Sequence, residues 1–210
     1  MFNPENITGR TDLEANQSLS SYLGHAAQQN PTAYEVFYKF LETVKPKRIV
    51  EIGTAFGGLT VFLRLACNDL GLATDIRSYE THDGYTHYDN IREMGIDIRI
   101  EDIFQPTYTA VKQEAVDYIQ QEGTTIVLCD GGNKIHEFNL LAPFIKTGDF
   151  ILAHDYASNK EDFEQNINMK FWNWHEIQDS DIQEVSDSNG LESFMQDDFT
   201  KAVWACKVKK

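Results

Sequence analysis

Apolar positions in this chain alternate between short β-branched runs and helical stripes. Residues 48–52, Arg-Ile-Val-Glu-Ile, form a run that reads as a buried strand. Residues 76–80, 96–100, 124–129 and 150–153 read the same way, and 124–129 is the most uniformly apolar. Helical spacing recurs between them. Tyr34, Phe37, Tyr38, Leu41 and Val44 follow Pro31, and Leu59, Phe62, Leu63, Ala66 and Leu70 are closed by Gly71. Val111, Ala115, Tyr118 and Ile119 mark a helix over 107–121, and 134–145 reads as a helix disturbed by Pro143. A short helix is expected near 91–94 and a longer one from 159 to about 174. Two late strands, 182–185 and 202–208, are expected around an acidic loop. Residues 1–30 are polar and rich in Asn, Gln and Ser, with one or two helical turns expected in 18–29. They read as an extension or lid folded over a site, and residues 31–210 as one domain.

This order predicts an α/β fold: a doubly wound, mostly parallel seven-stranded sheet with helices on both faces. Ligands of such sheets bind outside the carboxyl ends of the strands. Those ends carry Glu51 and Gly53, then Glu80, Asp102, Asp130, and His154 with Asp155.

Residues 49–60, Ile-Val-Glu-Ile-Gly-Thr-Ala-Phe-Gly-Gly-Leu-Thr, join the first of these strands to a helix through a glycine turn. A strand, a turn and a helix N-terminus present backbone N–H groups to a ligand. Gly53, Gly57 and Gly58 permit positive φ or close approach. Glu51 lies inside the strand, so it is expected to face the ligand and meet a cation or N–H donors. An ordinary βα turn without a ligand is the competing reading. A nicotinamide site is another, but it wants G-x-G-x-x-G, and the spacing here is G-x-x-x-G-G.

Charge narrows the partners. The formal net charge of −15 argues against a general nucleic-acid binder, which needs a basic face. Residues 155–200 hold twelve acids against two lysines. No apolar run approaches the length of a membrane span. The opening Met1-Phe2-Asn3-Pro4-Glu5 lacks a basic n-region, so no leader is expected. Cys67, Cys129 and Cys206 lie far apart in apolar segments, which fits core packing in a reducing, cytoplasmic compartment.

The strand-end acids suggest a ligand. Glu80, 27 residues past Gly53, suits a ribose diol, and Asp102 suits an adenine amino group. The turn has no Lys or Arg to hold phosphates. A phosphate-free nucleoside with a positive sulfonium fits this acidic mouth, and S-adenosylmethionine is such a ligand.

Residues 45–60 resemble the first motif of class I S-adenosylmethionine-dependent methyltransferases. Residues 127–132, Val-Leu-Cys-Asp-Gly-Gly, and 142–155 extend the likeness to the branch of macrocin-type sugar O-methyltransferases and cephalosporin-hydroxylase-like proteins. The resemblance covers residues 30–156. It implies that Glu51, Gly53, Thr54, Gly57 and Gly58 lie along the methionine end of the cofactor. Glu80 would hold its ribose, Asp102 and Ile103 its adenine, and Asp130 would border it. It further implies methyl transfer to a hydroxyl of a small molecule such as a sugar.

Relatives of this branch often bind a divalent metal after strands four and five, where Asp130, Asp155 and His154 stand. A divalent cation lowers a hydroxyl's pKa and fixes its position, and oxygen ligands suit Mg²⁺ or Mn²⁺. The chain departs from the pattern twice. His154 replaces an acid of the strand-five pair, and Asn133 stands where a histidine is usual. Lys134, His136 and His154 are the candidate bases. His82, Asp83, His87 and Asp89 form a second polar cluster that reads as a solvated loop. Trp172, Trp174 and His175 are expected on a helix, as the roof of a substrate pocket or as core or dimer packing. A homo-oligomer is left open. The rival to an enzyme is a protein that binds the cofactor without transferring from it.

Overall fold

The computed structural model describes residues 3–12, 17–83, 88–104 and 109–210. In chain order the elements are β1 (Ile7–Asp12), β2 (Gln17–Tyr22), β3 (His25–Ala27), α1 (Thr32–Val44), β4 (Arg48–Ile52) and α2 (Gly58–Asp69). There follow β5 (Asp75–Glu80), α3 (Asp89–Arg92), β6 (Ile96–Ile100), α4 (Gln113–Ile119), β7 (Thr125–Cys129) and α5 (Lys134–Leu141). The chain ends with β8 (Phe150–His154), α6 (Lys160–Asp162), α7 (Asp179–Asn189), β9 (Leu191–Ser193), α8 (Gln196–Lys201) and β10 (Trp204–Lys209).

Seven strands form one sheet in the order β6-β5-β4-β7-β8-β10-β9. β4 to β8 pair in parallel, and β10 is antiparallel to β8 and β9. The strand order reverses between β4 and β7, which makes their carboxyl ends the switch point where such sheets bind ligands. Alternation along each strand divides the core in two. Ile49, Ile76, Leu128 and Leu152 pack on the side of α1 and α2, while Val50, Val127, Cys129 and Ile151 pack on the side of α4 and α5. The three cysteines are free and buried.

Four expectations need correction. Residues 18–29 are not helical: β1, β2 and β3 form a separate antiparallel sheet. Residues 182–185 lie inside α7, not in a strand, because Ile182 and Val185 sit three apart and a Gln178–Asp181 capping box starts the helix. The seventh strand is β9 instead. The long helix over 159–174 is only α6 and a π-helical turn over Phe163–Ile167, after which Met169 takes positive φ (55°). The tryptophans 172 and 174 therefore lie on a loop. The predicted helix over 107–121 is also shorter than expected: α4 covers Gln113–Ile119, and Val111 pairs with Phe104 in an isolated β-bridge before it.

Candidate functional site

The glycine turn is shaped chiefly by protein contacts. Gly53 has φ +93°, and a Cβ there would strike the carbonyl of Asp130 at the end of β7. Gly57 caps α2 with left-handed φ (77°), and a Cβ on Gly58 would meet the carbonyls of His25 and Ala26. The close approach these glycines permit is thus to β7 and β3. Glu51 is buried under this turn. It accepts hydrogen bonds from the hydroxyls of Thr60 (2.6 Å) and Ser78 (2.5 Å), and Thr54 joins Ser78 at 2.6 Å. Its partners are hydroxyls, not the expected cation or N–H groups. Burial pushes its carboxyl up to about 7.

A slot opens beside the turn between the ends of β4, β5 and β6. Its walls are Ile52, Tyr79, Ile103 and Phe104, and Glu80 and Asp102 stand at the rim. Glu80 accepts the backbone N–H of Ala55 (2.9 Å) and of Thr81 (2.7 Å), and Asp102 accepts that of Phe104 (2.9 Å). Among the described residues, no lysine or arginine lines this slot. An apolar cleft with a carboxylate rim suits a nucleoside and repels phosphate.

A cavity of about 310 Å³ lies on the other side of Asp130 and Gly131. Sheet register builds it: Cys129 pairs with Ala153 and His154 with Trp204, so Asp130, His154 and Trp204 follow one another across β7, β8 and β10. His154 Nδ1 donates to Asp130 Oδ1 (2.9 Å). Its ring stacks on Trp204 (4.8 Å between centroids) and meets the edge of Trp172 (5.1 Å). Burial works against a charged His154, but Asp130 and Asp155 outweigh it and leave the pKa raised.

Asp155, in left-handed backbone (φ 59°), accepts the indole N–H of Trp172 (2.8 Å) and pairs with Lys134 (3.0 Å). The loop after residue 168 is fastened to the end of β8, since Glu176 N donates to the Asp155 carbonyl (3.0 Å). Glu176 thereby reaches Lys134 Nζ at 3.1 Å and accepts the Lys134 backbone N–H at 2.7 Å. Burial lowers the Lys134 pKa, but Asp155, Asp130 and Glu176 together raise it, so this lysine keeps its proton and is unsuited to act as a base.

The other candidates sort as follows. Asp130, Lys134, His154 and Asp155 converge on the cavity, with Trp172 and the exposed Trp174 on its loop wall. His136 lies in the first turn of α5, bound to Asn133 Oδ1 at 2.8 Å, and does not line the cavity. His82 bonds Thr81, and His87 lies outside the described residues. Among the described residues, no group of three or more His, Cys, Asp or Glu side chains is arranged to hold a metal. The cation beside Asp155 is Lys134, so a divalent ion does not fit the residues as they stand.

Gln29, Glu137 and Glu176 escape sequence reasoning. Gln29 donates to Asp130 Oδ2 (2.7 Å) and accepts the Trp204 indole N–H (2.9 Å), which ties the N-terminal segment to the site. Glu137 accepts the N–H groups of Gly131 (3.0 Å) and Asn133 (3.1 Å), and burial pushes it up to about 7. The Asp-Gly-Gly stretch followed by an acid six residues past the first glycine was the available signal for Glu137. Nothing local marks Gln29 or Glu176.

A nucleoside-type slot at the switch point of a doubly wound sheet defines a Rossmann-like α/β protein of the methyltransferase kind. Residues 16–177 match the model of the rhamnosyl O-methyltransferase/CmcI family, and the chain belongs to that family. Solved structures agree on the fold. CmcI-N160 with SAH is similar with a TM-score of 0.59 at 13% identity, covering 90% of this chain and 82% of that one. CmcI-D160 with Mg and SAM gives 0.61 at 16% identity, covering 90% and 76%. The CMeT domain of the citrinin polyketide synthase gives 0.53 at 13%, covering 85% and 53%. No curated protein sequence matches the chain.

Proposed function

We propose that this protein is an S-adenosylmethionine-dependent O-methyltransferase acting on a small hydroxylated molecule. The observation that carries this reading is the shared wall. Gly131 lines both the nucleoside slot and the 310 Å³ cavity, and Asp130 faces that cavity and the recess beside Glu51. Two compartments that meet at one strand end suit a reaction between two bound molecules.

When bound, S-adenosylmethionine supplies an electrophilic methyl group on a sulfonium. Glu80 would hold its ribose hydroxyls, Asp102 and Ile103 its adenine, and Glu51, Gly53 and Thr54 its methionine end. On the other side Asp130 accepts the hydrogen bond of the acceptor hydroxyl and takes its proton. Gln29 and His154 fix the two oxygens of Asp130, each with a lone pair to spare. Trp172 and Trp174 wall the acceptor off from water.

Thermal-shift titration with S-adenosylmethionine, S-adenosylhomocysteine and NAD tests the cofactor. The first two are expected to raise Tm, and stabilisation by NAD alone overturns the reading. Methyl-transfer assays over sugars, alcohols and phenols then separate an enzyme from a protein that only binds the cofactor.

A further inference from the structure

We propose that Lys134 is the resident cation of the acceptor cavity, seated where a divalent ion would otherwise neutralise the strand-end carboxylates, so that the protein neither needs nor binds a metal there. The inference takes the cavity's role from the function proposed above.

The cationic position between the carboxylates of Asp155 and Glu176 is already filled. Lys134 is buried at the first position of α5, and all three ammonium hydrogens have an oxygen partner: Asp155 Oδ2 (3.0 Å), Glu176 Oε2 (3.1 Å) and the Gly131 carbonyl (3.0 Å). The remaining Asp155 oxygen accepts the Trp172 indole N–H (2.8 Å). Both Asp130 oxygens also have donors, His154 on one and Gln29 on the other. Each of these oxygens keeps a further lone pair, but an ion drawn to it would set a double positive charge beside a buried ammonium that already pairs Asp155 and Glu176. Lys134 is held from two directions, because Glu176 binds both its backbone N–H and its side chain. It is a positioning residue: it fixes Asp155 and Glu176 and offsets part of their charge, with no hydrogen left over for substrate.

The test is Mn²⁺ titration of the full chain, followed by electron paramagnetic resonance and by thermal shift, with no cofactor or acceptor present. The wild type is expected to take up no Mn²⁺ and to melt at the same temperature in Mg²⁺, Mn²⁺ or EDTA. Lys134→Ala, which empties the space between Asp155 and Glu176, is expected to gain one saturable Mn²⁺ site and a higher Tm with the ion. Asp155→Asn on that background should remove the gain, and Lys134→Arg should show none. Saturable Mn²⁺ uptake by the wild type that Asp155→Asn abolishes overturns the proposal, as does a folded Lys134→Ala that takes up no ion. If Lys134→Ala fails to fold, the wild-type titration decides alone. Metal uptake by the wild type would leave methyl transfer standing, whereas failure to bind S-adenosylmethionine would leave the Lys134 assignment standing.

Discussion

Replacing Glu51 by glutamine separates its charge from its shape. Burial raises this carboxyl from 4.5 to about 7, opposed by the Ser78 and Thr60 hydroxyls and assisted by Asp130 and Glu80. Between those two pH values the folded chain keeps a proton that the unfolded chain has lost. Stability from this group is therefore fully present below the unfolded pKa and is lost as pH rises through about 7. At roughly 1.4 kcal/mol per pKa unit, the loss is roughly 3 kcal/mol. Glutamine cannot ionise, and its amide can still bond both hydroxyls. Other titrating groups, Glu137 included, are common to both proteins and cancel in the difference between them. Urea unfolding at about pH 5 and about pH 8.5 measures that difference. Glu51→Gln should match the wild type at the acid end and exceed it by roughly 3 kcal/mol at the alkaline end. A gap that stays constant with pH, or one that moves in favour of the wild type as pH rises, refutes the reasoning.

Glu80→Ala should weaken S-adenosylhomocysteine binding by roughly 10- to 100-fold in calorimetry, the effect of losing hydrogen bonds to a charged group. Gly53→Ala combines positive φ with a collision against the Asp130 carbonyl and should cost roughly 2 kcal/mol or more, whereas Gly132→Ala, with open space around it, should stay within about 0.5 kcal/mol; urea midpoints compare them. Gln29→Ala strands the buried Trp204 indole N–H and frees Asp130. A stability loss of roughly 1–3 kcal/mol is expected by urea unfolding, together with a lower kcat for methyl transfer. Because a sulfonium favours an ionised Glu51, S-adenosylmethionine affinity should rise with pH through about 7 in the wild type but not in Glu51→Gln, again by calorimetry.

The part of this architecture that sequence reveals is the part governed by local period. β4, β7 and β8 read as apolar runs because both their faces are covered, the edge strand β6 shows alternation instead, and the ends of the five parallel strands are marked by a glycine or an acid. The acids at 51, 80, 102, 130 and 155 are legible for that reason. What they touch is not. Glu51 finds hydroxyls on α2 and β5, Asp155 finds a lysine on α5, and the Asp130 partners come from 101 residues upstream and 24 downstream. The polar segment 17–27 gives no apolar period because its strands pair with one another in a small separate sheet. Residues 182–185 mislead because two apolar residues in four fit a strand or a helix until the capping box at 178–181 is noticed.

The acids of the two compartments are neutralised in different ways. In the acceptor cavity Asp130 faces His154, while Asp155 and Glu176 face Lys134. On the cofactor side Glu51 has only hydroxyl donors, and Glu80 and Asp102 have backbone N–H groups. None of these three acids has a cationic partner among the described ion pairs. Hydrogen-bond donors stabilise a carboxylate locally but leave its charge in the field. The negative potential left unbalanced at the switch point therefore lies mainly on the side of the glycine turn, and a cation about 4 Å from one such carboxylate gains roughly 4 kcal/mol at an effective dielectric of about 20. Phosphate-bearing nucleotides meet the same field with the opposite sign. The acceptor side sets the chain's own lysine and histidine against three carboxylates, so its negative charge is offset in part and its pull on cations is the weaker of the two.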